Sequence, residues 1–365
     1  MEMKRKRLPA LAAALLLALL LSACGSAETV TVLREWEAPG GGEAEAGGAR
    51  ELQYRIGMVT DVGGIDDASF NQSAWEGLQE LSATTGCTVD FVESGSTKDF
   101  ARNFESLAES GYQLIWGIGY SCADAMLEAA ERYPEVSFAV IDSSFADTPD
   151  NVTGVVFHAE EASFLVGYIA AAASGTGKIG FVGGVSGELI DAFQYGYQAG
   201  AAYADRELGK TTEVLVNYAG SWIDPDYGRV LAEEMYHSDC DIIYHAAGGT
   251  GIGVIQCAQE RGLYAIGVDR DQAYLAPKNV LTSALKKVNV AVLQVSRDFI
   301  EGREIGGRTF QFGLAEGAVG VPEGHSNYSD VIYDAALRAA DDIISGNITP
   351  PATSEAYERY LADLA

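Results

Sequence analysis

Positive charge is scarce in this chain. Its 365 residues hold 24 lysines and arginines against 52 aspartates and glutamates, a formal net charge of −28. Such an excess repels phosphate backbones and anionic headgroups, which argues against nucleic acid and against adhesion to an anionic lipid surface. Its plainest consequence is solubility. Histidine is scarcer still. His158, His237, His245 and His325 stand alone, and none falls in an H-x-x-x-H or H-E-x-x-H spacing. No metal site is expected from them, and no cofactor. Of five cysteines, Cys87, Cys122, Cys240 and Cys257 lie singly, with no C-x-x-C among them. Cys87 and Cys240 precede apolar, strand-like runs, so buried thiols are expected. A disulfide is open outside the cytosol, although spacing cannot pair the four.

The basic residues that do exist cluster at the start. Lys4-Arg5-Lys6-Arg7 precedes an apolar run from Leu8 to Leu21, which is too short to span a bilayer comfortably. Leu21-Ser22-Ala23-Cys24 then reads as a bacterial lipoprotein cleavage box, with the Cys24 thiol as the acceptor of a diacylglyceryl group. The alternative is an ordinary signal peptide beside a chance cysteine. Each buried methylene of an acyl chain contributes roughly 0.8 kcal/mol, so several chains anchor firmly. The expected organisation is a signal peptide over 1–23 and a lipidated, Gly-, Ala- and Glu-rich tether over 24–50. The rest, 51–365, is long enough for two lobes at roughly 100–200 residues per domain.

Short apolar runs alternate with helical patterns through that remainder. Strands are expected at 54–60, 88–92, 113–118, 136–141, 152–157, 178–183, 212–217, 241–246, 263–268, 280–284 and 309–313. Helices are expected at 71–84, 98–110, 121–133, 160–174, 188–207, 225–237, 251–261 and 287–301. Such alternation predicts an α/β fold of parallel sheets with helices on both faces. Eleven strands are too many for one comfortable open sheet. Two doubly wound lobes fit better, with crossings near 155–157, 281–286 and 312–319. That is the plan of a type I periplasmic binding protein with a three-segment hinge. The lobes are expected at 51–156 plus 285–315 and at 157–284 plus 316–365.

The richest stretch is Asp61-Val62-Gly63-Gly64-Ile65-Asp66-Asp67-Ala68-Ser69-Phe70-Asn71-Gln72, between a strand-like run and a helix start. Open α/β sheets hold ligands at such places. The stretch offers an aromatic face, an amide and carboxylates, but no lysine or arginine for a phosphate. From Asp61 to Leu78 it resembles the basic membrane protein family of substrate-binding lipoproteins, which serve ABC importers and include purine nucleoside receptors. The family pattern D-x-G-G-x-x-D-x-S-F-N-Q-x-x-W-x-G-L is met in order. The resemblance recurs at 247–254, 266–272 and 281–288 and covers roughly Tyr54 to the C-terminus.

The resemblance implies that Phe70 stacks on a base while Asn71 bonds its edge; without it, Phe70 reads equally as a core aromatic. It also implies a second stacking face at Phe193, with Tyr195 and Tyr197 as competitors for that role. Other candidates follow from position. Asp61 and Asp142 end strands on the ligand side, where carboxylates can accept from purine N–H groups; an N-cap or Asx turn is the alternative for each. Asp66 and Asp67 read as turn and cap residues. Gly248, with Gly249, suits close backbone approach at a helix start. Asp269 can take two vicinal hydroxyls of a ribose. Lys286 can donate to ribose oxygens, with Lys287 as the competing register and a surface lysine as the plain alternative. Trp222 is left between cleft and loop.

The function expected is a lipid-anchored, monomeric receptor at the extracytoplasmic face of the bacterial cell membrane, passing a purine nucleoside to an ABC permease. A sensor lipoprotein or a sugar receptor is the alternative, since fold alone does not choose a ligand. A nucleoside-processing enzyme is disfavoured, because the candidates contain no paired nucleophile and base.

Overall fold

The computed structural model describes residues 54–364. The expected signal peptide, the tether and Cys24 lie outside the described residues. Two six-stranded sheets organise the chain. The first contains β1 (Arg55–Val59), β2 (Thr88–Val92), β3 (Leu114–Gly117), β4 (Ser137–Ile141), β5 (Val152–Phe157) and β11 (Arg308–Phe312), in the order β11-β5-β4-β3-β1-β2. All its pairings are parallel. The second contains β6 (Lys178–Gly183), β7 (Glu213–Tyr218), β8 (Ile242–Ala246), β9 (Tyr264–Asp269), β10 (Val280–Lys286) and β12 (Val319–Gly320), in the order β12-β10-β9-β8-β6-β7. It is parallel except for β12, which runs against β10. This is a two-lobed α/β architecture with a doubly wound, mostly parallel sheet in each lobe.

The central strands are apolar runs because helices cover both sheet faces. All residues of β3 and β8 are buried. In the first lobe, α1 (Phe70–Thr85) packs on α8 (Val288–Ile300). Gly77 permits that approach, since a Cβ there would meet the Asn289 carbonyl at 2.5 Å. The fully buried Trp116 donates its indole N–H to Ser296 Oγ of α8 at 2.9 Å. The later segment 288–312 therefore belongs with the first sheet, although it follows the second in sequence. In the second lobe, α4 (Ala159–Ala173) lies against α5 (Glu188–Leu208); a Cβ on Gly200 would strike the Phe164 carbonyl at 1.9 Å.

Three strands connect the lobes, between Phe157 and Ala159, between Lys286 and Val288, and between Phe312 and Val319. They are stitched together by backbone bonds. His158 N donates to Phe312 O at 2.9 Å, and Lys287 N donates to Ala318 O at 2.7 Å.

All eleven expected strands and all eight expected helices are present, with ends displaced by no more than two residues. Three elements go beyond that reading. β12 is two residues long, too short to show a period. α9 (Asp330–Ile344) buries Ala336, Ala339, Ala340 and Ile343, a face made mostly of alanine that carries little hydrophobic contrast. α10 (Ser354–Leu364) buries no residue fully and packs on α5. Cys87, Cys122, Cys240 and Cys257 are buried free thiols. Among the described residues, no helix is long and apolar enough to cross a membrane, and no cluster of three or more metal-ligating side chains occurs.

Candidate ligand-binding cleft

In each sheet the strand order reverses beside the first strand of the lobe. Chains leave β1 and β3 in opposite directions, as they leave β6 and β8, and a crevice opens at the carboxyl ends. The two crevices face each other and form one cleft. Asp61, Gly119, Tyr120 and Asp142 reach it from the strand ends of the first lobe, and Phe70 from the start of α1. Phe193 of α5, Trp222, Gly248, Asp269 and Lys286 line it from the second.

Lys286 is the centre of the arrangement. Its Nζ donates to Asp142 Oδ2 at 2.6 Å, with side chains only 4% and 3% exposed. The ammonium lies 4.8 Å from the ring centre of Phe70, 5.2 Å from Phe157 and 5.8 Å from Phe193. Rings at that range attract a cation by their quadrupoles. Phe70 and Phe193 thus approach one point from opposite lobes. Lys287 instead donates to the Gly317 carbonyl at 2.9 Å, in the hinge. The competing aromatics also turn away: Tyr195 packs on Tyr357, and Tyr197 is fully buried against Phe181 and Tyr244.

Asn71 requires a correction. It does not line the cleft. It is 1% exposed, and its amide is fully committed. Nδ2 donates to Asp61 Oδ1 at 2.7 Å and to Asp67 Oδ2 at 3.0 Å, while Oδ1 accepts from Asp61 N at 3.1 Å. Both N–H groups are engaged and the oxygen already accepts once, so the buried amide has no donor left for the edge of a ligand. Asn71 aims Asp61. Asp67 caps the start of α1, accepting from the backbone N–H groups of Ser69, Asn71 and Gln72. It also lines the cleft.

The carboxylates differ in what they have left to offer. Asp61 Oδ1 is taken by Asn71 and by Gly63 N at 2.8 Å. Burial raises its pKa, and these two bonds oppose the shift. Asp142 has its Oδ1 buried with no hydrogen-bond partner among the described residues. Asp269 is 7% exposed, and burial pushes it up to about 6 against the pull of Lys286 and a hydrogen bond from Ser69. Desolvation disfavours the charged form, and a nearby cation restores part of it. Ala68, Asp142 and Asp269 all sit at positive φ, at 54°, 63° and 66°. Left-handed backbone at non-glycine residues costs about 1–3 kcal/mol each and gathers where surrounding structure enforces it.

Gly248 also has positive φ, 54°, and its missing Cβ leaves the backbone open beside Trp222. The Trp222 ring covers Gly184, where a Cβ would lie 2.2 Å from ring atoms, and its carbonyl accepts from Thr250 N at 3.1 Å. Trp222, left between cleft and loop by the sequence, lines the cleft, and Tyr120 lines it too, with Gly119, Ser121, Leu189 and Ile190, none of which the sequence singled out. For Tyr120 the signal was available: it follows β3, the strand beside β1 at the switch point. Neither histidine nor cysteine occurs among the described lining residues. The lining suits holding a flat molecule with polar edges.

Two lobes around such a cleft define a substrate-binding protein. The family model described as "ABC transporter substrate-binding protein PnrA-like" matches residues 55–354, and the chain belongs to this family. It is 40% identical over 314 residues to Basic membrane protein A of Borreliella burgdorferi, covering 85% of this chain and 91% of that protein. Basic membrane protein A2 of Borrelia garinii subsp. bavariensis is 39% identical over 323 residues, covering 87% and 94%. Among solved structures, an ABC transporter solute-binding protein from Aeropyrum pernix K1 is similar with a TM-score of 0.76 and 29% identity, over 85% of this chain and 97% of that one.

Proposed function

We propose that this substrate-binding protein captures a nucleoside, with a purine preferred, and delivers it to an ABC permease. The carrying observation is the pair Phe70 and Phe193, one from each lobe, flanking the Lys286 ammonium at 4.8 and 5.8 Å. In this reading the base lies between the two rings. Asp61 and the free Oδ1 of Asp142 accept from its N–H edge. Asp269 takes the ribose hydroxyls, Lys286 donates to the sugar oxygens, and the backbone at Gly248 closes the far side. Closure buries the ligand, so a few contacts can give high affinity.

Base–aromatic stacking contributes about 1–3 kcal/mol per base. Phe70→Ala and Phe193→Ala should each weaken nucleoside binding about five- to 150-fold, as measured by calorimetry on folded protein, while Tyr195→Ala should bind normally. Free ribose binding as tightly as the nucleoside would reject a base between the rings.

The same proposal places the protein at the outer face of the cell membrane, held by lipid on Cys24. Cys24→Ser should then leave the detergent phase on partitioning of cell extracts. A variant that stays with the detergent would rule the anchor out.

A further inference from the structure

Across the cleft, a turn of the second lobe holds a segment of the first through Gln272 and Arg270, which do not line the cleft, and through one oxygen of Asp269, which does. We propose that Gln272 is a positioning residue for Phe70, and that with Arg270 and Asp269 it forms a clasp that closes the lobes by direct contact before a ligand is bound.

Gln272 is fully buried and does not line the cleft. Its own lobe fixes the orientation of its amide. Oε1 accepts from Val268 N at 3.0 Å and lies 3.0 Å from His245 Nε2. His245 is itself fully buried, and burial depresses it to about 4, so the ring is neutral and its Nε2–H is the donor. Gly251 presses on the other side of this ring: a Cβ there would lie 1.9 Å from Nδ1. Gln272 N donates to Ser283 Oγ at 3.1 Å. With the oxygen committed inside the second lobe, Nε2 is aimed outward. It donates to the Ala68 carbonyl of the first lobe at 3.2 Å.

Ala68 is one of the left-handed residues and stands two positions before Phe70. Between them, Ser69 donates its hydroxyl to Asp269 Oδ2. About two helical turns further, Glu76 Oε1 lies 3.1 Å from Arg270 Nη1. Three partners within 68–76 therefore meet three within 269–272, from opposite lobes. Holding Ala68 and Ser69 fixes the backbone that presents the Phe70 ring. A donor oriented beforehand costs little further ordering when the lobes meet. The positive φ at Ala68 has a stated cause in this arrangement, since the turn must direct its carbonyl at Gln272 and its next side chain at Asp269.

The test uses the mature chain with spin labels at two exposed positions, Arg102 on the first lobe and Tyr227 on the second, and no ligand. Inter-lobe distances are recorded for wild type, Gln272→Glu, Arg270→Ala and the exchange Glu76→Arg with Arg270→Glu. Gln272→Glu keeps the shape but turns the donor facing Ala68 O into an acceptor. Wild type should show a short-distance population that both single variants lose and the exchange restores. Nucleoside affinity should fall about five- to tenfold in the single variants. Unchanged distances in both single variants, or an exchange that stays open, would overturn the clasp. Arg270 is partly exposed, so its variant reads closure even if Gln272→Glu fails to fold. The affinity arm rests on the nucleoside reading, but the distances do not. A protein that clasps and ignores nucleosides would reject that reading and leave the clasp standing.

Discussion

Lys286→Met should reduce nucleoside affinity by roughly 150- to 5,000-fold. The substitution leaves Asp142 buried opposite an apolar chain, with Oδ1 already unpartnered and Oδ2 newly so. Removing one partner of a buried ion pair typically costs about 3–5 kcal/mol, mostly the penalty of the charge left behind; that corresponds to roughly 150- to 5,000-fold. The pair joins the end of β10 to the end of β4, across the hinge side of the cleft. The loss therefore falls on the closed state, where water is least able to compensate. The double variant Lys286→Met with Asp142→Asn separates two contributions. It removes both charges at nearly constant volume, so thermal stability should return most of the way to wild type, and the coupling between the sites can be read from the cycle. Affinity should return only in part, because the ammonium beside Phe70 and Phe193 is still missing. If Lys286→Met melts and binds as wild type does, the pair serves neither closure nor the ligand.

The plan of the fold was legible because buried parallel strands announce themselves as unbroken apolar runs. β4, Ser-Phe-Ala-Val-Ile, is buried at four of five positions and reads as a strand from composition alone. α9 was not legible for the opposite reason: alanine at 336, 339 and 340 fills its buried face, and alanine is equally at home on a surface. The same division runs through the cleft. Asp61, Asp142 and Asp269 follow strand ends, and the geometry of open sheets brings strand ends together. Lys286 emerged with them because β10 continues to the crossing. Asn71, expected to bond the edge of a base, is instead enclosed within its own loop. Its neighbours in sequence favour a ligand contact, but the 61–71 loop folds back so that two carboxylates enclose the amide, and that return path is set by Asp67 capping α1. Trp222 stayed undecided between cleft and loop because it enters from the loop after β7, an edge strand, and no strand-end rule fixes where such a loop side chain turns. The clasp was beyond reach from sequence, since Ala68 and Gln272 are 204 residues apart.

Asp269→Ala should cost more for a ribonucleoside than for its 2′,3′-dideoxy analogue. An ionised carboxylate accepts from both vicinal hydroxyls, and charge-assisted bonds contribute roughly 1.5–3 kcal/mol each. The dideoxy sugar has no such donors, so its loss on substitution should be small. Equal losses would assign Asp269 to the clasp or the fold rather than to the sugar. The pH dependence gives a second readout with a definite sign. Burial raises Asp269 from 3.8 to about 6, so the folded protein without ligand favours the protonated form. Its contribution to stability is complete below 3.8 and is lost as pH rises through about 6. A ligand presenting two hydroxyl donors favours the ionised form and reverses that preference on binding. Ribonucleoside affinity should therefore strengthen as pH rises through about 6 and weaken below it, by at most about tenfold per unit. Asp61, raised in the same direction, meets the base in both ligands alike. The difference between ribonucleoside and dideoxy analogue thus isolates Asp269, and Asp269→Asn should flatten it. A difference that persists unchanged in Asp269→Asn would move the sugar contact to another group.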